Sequence, residues 1–223
     1  MGGTPQGSLS NLFVISGSHG VGKSTTLPLV VDKLKKAGYS VHGFHHRLKE
    51  RNNIASGVMG TSDSTARFSL RRAWRRLPKP VRLTVVALLD AHSYAHKISS
   101  KVKKLRKNGS LALADRYVYD QLIDLSLRKH PFRNILAFGL ASRIMTRPTL
   151  TIVLTDQPER IHSRNPELTI SQNAKYQDTL IQLLGSRKIP YQEVSVFDRT
   201  PKEVANEVSH IIINHILCHS VTE

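Results

Sequence analysis

Gly17, Ser18, His19, Gly20, Val21, Gly22, Lys23 and Ser24 stand in a row, and few octapeptides restrict a fold so tightly. The spacing is G-x-x-x-x-G-K-[ST]. The apolar run Leu12-Phe13-Val14-Ile15 enters it as a strand, and Ser24 to Lys36 leaves it with helical spacing, the context in which this pattern forms a phosphate-binding loop. Its glycines let the backbone curl so that successive N–H groups point inward at a helix N-terminus, where they cradle phosphates. The loop from Gly17 through Val21 to Thr25 is then the expected nucleotide cradle, with Lys23 reaching the β- and γ-phosphates and the Ser24 hydroxyl as a ligand of Mg²⁺. ATP and Mg²⁺ are the cofactors this predicts.

Hydrophobic periodicity predicts further strands at about 40–44, 111–114, 149–155 and 191–196, with helical patterns between them. Gly38, Gly109 and Gly185 are placed to end three of those helices. Strands alternating with helices imply βαβ units: a mostly parallel five-stranded sheet covered on both faces, the α/β three-layer architecture of P-loop NTPases, with ligands at the carboxyl ends of the strands. The chain of 223 residues suits one such domain. The expected division is a disordered arm at 1–10, a single domain at 11–217 with a loop and basic helical insertion at 45–80, and a tail at 218–223. Pro78-Lys79-Pro80 separates that basic helix from a long amphipathic one.

Lysine and arginine total 33 against 16 acids, a formal charge of +17 that favours polyanionic partners. Thirteen of those basic residues, with Asp90 the one acid, fall between Ala66 and Lys107. Within this block, Arg71-Arg72-Ala73-Trp74-Arg75-Arg76-Leu77 suits either nucleic acid or an anionic membrane. Cys218 is the lone cysteine, and the first residues carry no basic-then-apolar leader, so a cytoplasmic location is expected. The sequence leaves homodimerisation open.

Leu111-Ala112-Leu113-Ala114-Asp115 is a short apolar strand ending in a carboxylate, followed by Arg116-Tyr117. An acid there holds a Mg²⁺ water shell and a neighbouring arginine grips a phosphate; the plainer alternative for Asp115 is a helix N-cap. Asp156 also ends a strand, but Gln157-Pro158-Glu159 reads as a helix start, so a capping role is expected of it.

With the loop at 17–24, the Asp115-Arg116-Tyr117 triplet and the strand before Asp156 in this order, the chain from about residue 11 to 215 resembles the thymidylate kinase family of P-loop nucleotide kinases. The resemblance implies phosphoryl transfer from ATP to a nucleoside monophosphate or related small acceptor, with Tyr117 in the acceptor site and a short arginine-bearing lid after the fourth strand. Arg160 and Arg164, spaced i, i+4, are that lid's catalytic candidates. Arg47, just after the second strand, falls where such kinases bind acceptor phosphate, and Phe197 to Pro201 resembles the loop that contacts adenine.

The acceptor half departs from the family. His19 replaces an acid in the loop, Asp120 replaces a serine of the motif, and the expected arginine near residues 91–96 is missing. Asp120 and Asp124 lie i, i+4 on the helix after Asp115, on the side expected to face the cleft, either to hold acceptor hydroxyls or to act as base. These replacements suit hydroxyl-bearing acceptors, and dTMP is not the expected best substrate. The alternatives are a kinase of nucleoside or sugar hydroxyls and a nucleotide-binding protein that docks on nucleic acid or membrane. The chain has no Asn-Lys-x-Asp, Asp-x-x-Gly or Leu-Ser-Gly-Gly-Gln motif, which argues against a GTPase or an ABC ATPase.

Overall fold

The computed structural model describes residues 12–45, 78–128 and 130–220. In chain order the elements are β1 (Leu12–Ser16), α1 (Lys23–Lys36), β2 (Val41–His45), α2 (Lys79–Lys107), β3 (Leu111–Asp115), α3 (Val118–Leu127) and α4 (Phe132–Ile144). They continue with β4 (Leu150–Thr155), α5 (Pro158–Arg164), α6 (Ile170–Ser186), β5 (Tyr191–Ser195) and α7 (Pro201–Ser220). All five strand positions agree with the hydrophobic pattern to within a residue. The expected arm at 1–10 and, within the 45–80 loop and basic helical insertion, residues 46–77 lie outside the described residues, Arg47 among them.

The five strands are all parallel, in the order β2-β3-β1-β4-β5. Parallel neighbours cannot be joined by tight turns, so helices make the crossovers and cover both faces. Alternation along each strand sorts the core in two. Leu12 and Val14 of β1 join Ala112 and Ala114 of β3 under α2, α3, α4 and α6, whereas Phe13, Ile15, Leu111 and Leu113 pack with Val30 and Leu34 of α1 and Val204 and Val208 of α7. The result is helices on both faces of one sheet.

β1 lies between β3 and β4, whose connections run to opposite sides, so the carboxyl ends of these three strands border the crevice where such sheets bind ligands. Gly17 leaves β1 with φ +143°, and a Cβ there would sit 2.5 Å from the Leu154 carbonyl oxygen, so no side chain fits where the loop crosses β4. Gly20, at φ +89°, has the Asn165 Cβ within 2.8 Å of its own absent one, which lets the segment after α5 close down on the loop.

Gly38 and Gly109 end α1 and α2 in the positive-φ conformation, as expected. Gly185 does not end its helix: α6 runs to Ser186, and Lys188 takes the left-handed position at φ +52°, with the Ile189 N–H returning to the Leu184 carbonyl. A non-glycine tolerates this single left-handed residue because the C-terminal hydrogen bonds offset the strain.

Candidate active site

The loop from Gly17 to Lys23 wraps around its own lysine. Lys23 Nζ donates to the carbonyls of Gly17 (2.5 Å) and Ser18 (2.7 Å), and the side chain is 4 % exposed. Burial and the nearby Arg116 charge lower its pKa to about 8, against the raising influence of Asp120, Asp115 and Asp124. Ser24 follows at the start of α1, with Oγ 3.4 Å from Asp115 Oδ2 at the end of β3. Two hard oxygens, one from the first turn of α1 and one from the end of β3, thus face each other beside the lysine, a donor set that suits Mg²⁺ completed by phosphate and water.

A cavity of about 430 Å³ opens over the loop, lined by His19, Gly20, Gly22, Lys23, Ser24, Thr25, Arg116, Arg164 and Asn165. Lys23, Arg116 and Arg164 supply cationic side chains, and no carboxylate is in that lining. The acids stand behind the cations. Arg164 Nη1 donates to Asp156 Oδ2 at 2.8 Å, and Arg116 Nη1 to Asp124 Oδ2 at 3.1 Å, which orients both guanidinium groups before any anion arrives. Arg116 has φ +70°, an uncommon conformation outside glycine. Its N–H is fixed on the Ile15 carbonyl, so the chain turns sharply at the end of β3 and throws this side chain toward the loop.

Asp120 is not in the cavity lining. Its carboxylate, 1 % exposed, accepts from Ser16 Oγ (2.7 Å), the Gly17 N–H (3.4 Å), the Tyr117 N–H (2.9 Å) and Tyr176 Oη (2.9 Å). With four donors on it, this carboxylate ties the loop's entry to α3 and α6; Asp124, one turn later, is the member of the pair that reaches the loop. Tyr117 also turns away: its ring lies against Tyr119 in the core and its hydroxyl donates to the Thr146 carbonyl. Burial raises the phenol pKa far above its usual range.

The two lid arginines diverge despite their i, i+4 spacing. Arg164 reaches the cavity, whereas Arg160 donates to Asp198 Oδ1 at 2.5 Å and lies over the Phe197 ring at 4.7 Å, outside the lining of the loop cavity. Asp156 does not cap α5, whose N-cap is Gln157; it accepts from the Gln157 N–H and from Arg164, so it holds the lid arginine instead.

His19 is the centre of a network that crosses from loop to lid. Its Nε2 lies 2.9 Å from Asp124 Oδ1 and 2.8 Å from Arg116 Nη1, and its Nδ1 lies 2.8 Å from Glu167 Oε2. Glu167 also accepts from Arg128 of the α3 terminus. The Arg128 hydrogen bond, with smaller help from His19 and against partial burial, holds the Glu167 pKa down to about 2. Ser18 is anchored similarly, its Oγ donating to Asn173 Oδ1.

Glu167, Arg128, Asn173 and Tyr176 carry no local motif, and their part in the site depends on α6 and the lid packing against α3. Among the described residues no group of three or more histidine, cysteine or acidic side chains is arranged to hold a metal by itself. No protein-family model matches the chain and no curated protein matches it.

Proposed function

We propose that this protein is an ATP-dependent phosphotransferase of the P-loop nucleotide kinase kind, resembling thymidylate kinases in its donor half. The observation that carries the reading is the convergence of three chain segments on one loop: Lys23 and Ser24 at the start of α1, Asp115 and Arg116 at the end of β3, and Arg164 at the end of α5, with Asp115 held beside the cavity by its contact with Ser24. Ser24 and Asp115 would hold Mg²⁺, which would neutralise phosphate charge when bound. Lys23 exchanges its two loop carbonyls for phosphate oxygens, an exchange favoured because an anion repays its desolvation. Arg116 and Arg164, already oriented by Asp124 and Asp156, meet the charge that spreads over the transferring group. The loop glycines present backbone N–H groups to the same phosphates. Catalysis of this kind is positioning plus charge stabilisation.

The acceptor is a nucleoside monophosphate or a related small molecule, and a second reading, a hydroxyl-bearing acceptor, is favoured by the Asp124–His19–Glu167 cluster. On either side of His19, Asp124 and Glu167 offer carboxylate oxygens that are hydrogen-bond acceptors for alcohols. Asp124, rather than the enclosed Asp120, is then the candidate base for the hydroxyl proton. A screen of nucleosides, nucleoside monophosphates, sugars and sugar phosphates with ATP and Mg²⁺, read as ADP release, tests both. Turnover of a non-phosphorylated alcohol supports the second reading; dTMP as the preferred substrate removes it; no acceptor-dependent ADP release from any class removes the kinase reading.

A further inference from the structure

Helix α4 turns Ala137, Phe138 and Ala141 into the core and leaves Phe132, Leu136, Leu140 and Ile144 outside, 76, 46, 45 and 61 % exposed. The four are spaced by four residues throughout, so they run as one strip along the helix rather than scattering around it. Single exposed leucines are ordinary; a continuous strip ending in an almost bare phenylalanine marks a surface that meets something apolar.

The charges around the strip say what. The sequence has no acid between Asp124 and Asp156, whereas α4 itself carries Arg133 and Arg143, and Arg147 follows it. Neighbouring α2, joined to α4 by an edge-on contact of Tyr94 with Phe138 at 5.5 Å, adds exposed Lys97, Lys101 and Lys103. Asp90 of α2 is the one acid of that neighbouring helix, and α4 has none; an apolar strip on a helix whose own charges are all cationic fits the boundary of a bilayer with anionic headgroups. A second copy of this chain fits poorly, because a two-fold contact would bring Arg133 and Arg143 of both copies together and offer them no carboxylate on α4. Nucleic acid would engage the arginines and leave Phe132 and the leucines in water. No described helix is long and apolar enough to cross a membrane, so contact through α4 lies in the interface.

We infer that the outer face of α4 is a docking surface for anionic lipid bilayers, with Phe132, Leu136, Leu140 and Ile144 entering the acyl boundary and Arg133 and Arg143 meeting the headgroups. The inference stands apart from the phosphotransferase reading and is tested without activity.

Sedimentation of the full chain with phosphatidylcholine vesicles containing about 30 mol % phosphatidylserine gives binding that pure phosphatidylcholine does not, and salt weakens it. The pair Leu136→Gln and Leu140→Gln lowers vesicle affinity roughly tenfold per residue at unchanged net charge. Both side chains are half in solvent, so circular dichroism and the melting temperature stay close to the parent's. Arg133→Gln with Arg143→Gln lowers it about fivefold per charge. Absence of binding to the phosphatidylserine vesicles overturns the inference, and so does binding that the leucine pair leaves untouched while duplex DNA competes it away. A dimer in light scattering that the leucine pair dissociates, with vesicle binding unchanged, reassigns the strip to a second copy.

Discussion

His19 Nδ1 stands 2.8 Å from Glu167 Oε2, so the glycine-rich loop at 17–24 and the segment after α5 are joined through an imidazole–carboxylate contact. Asp124 faces the other ring nitrogen at 2.9 Å and Arg128 shares the Glu167 carboxylate. The loop, α3 and the segment after α5 are therefore linked through one network of charged side chains.

This coupling is measurable as pH-dependent stability. Glu167 has a pKa of about 2 in the folded chain against an ordinary 4.5, so its contribution is fully present above about pH 4.5 and is lost as pH falls toward 2. Its carboxylate is about one-third exposed, which discounts the contribution to about 1 kcal/mol. Denaturant titrations should show Glu167→Gln less stable than the parent by that amount at pH 6 and no different near pH 2. An equal difference at both values would refute the coupling.

Lys23 behaves in the opposite sense. Its folded pKa of about 8 lies below the ordinary 10.5, so the cost of burying the ammonium is present below pH 8 and is relieved as pH rises toward 10.5. Lys23→Met should thus be more stable than the parent at pH 7, and the gap should narrow by pH 10. Nucleotide binding runs the other way: parent affinity for ATP in calorimetry should fall above about pH 8 as the ammonium is lost, and Lys23→Ala should abolish phosphoryl transfer. Affinity that is flat from pH 7 to 9.5 would place the phosphates elsewhere.

Asp115 and Arg164 should act on the catalytic step. Alanine at either is expected to lower kcat by roughly a hundredfold or more with a smaller change in ATP affinity. Arg160, committed to Asp198 and Phe197, provides the contrast: Arg160→Ala should leave kcat within about tenfold of the parent and act mainly on ATP affinity. Steady-state kinetics of the three variants, with the same acceptor, decide this; equal kcat losses at residues 160 and 164 would mean that both arginines reach the phosphates.

Asp120 should be felt in folding. Asp120→Ala leaves the Tyr176 hydroxyl and the Ser16 and Tyr117 donors without their shared acceptor inside the core, and a loss of about 3–5 kcal/mol is expected in chemical denaturation. Asp124→Ala, nearer the surface, should cost less stability and more activity. A stable Asp120→Ala protein without activity would return Asp120 to the acceptor site.

The sheet and the strand–loop–helix turn at 12–36 were legible in the sequence because each is local. The apolar run Leu12 to Ile15 needs no partner to be read, and the glycine spacing, Lys23 and Ser24 lie within eight residues whose backbone positions one another. Asp115 at a strand end was legible for the same reason. The different placements of Asp120 and Asp124, and of Arg160 and Arg164, were not, since two residues four apart on a helix share a face while their neighbours from other elements do not. Asp120 meets Tyr176, 56 positions away, and Asp124 meets His19, 105 positions away. Arg160 is drawn off by Asp198, whereas Asp156 holds Arg164 at the cavity. Sequence spacing determined which side chains could point toward the loop; only the packing of α6 and the lid against α3 decided which carboxylate would be enclosed by donors and which would stand beside the cavity, because burial and partner charge are properties of contacts between distant segments.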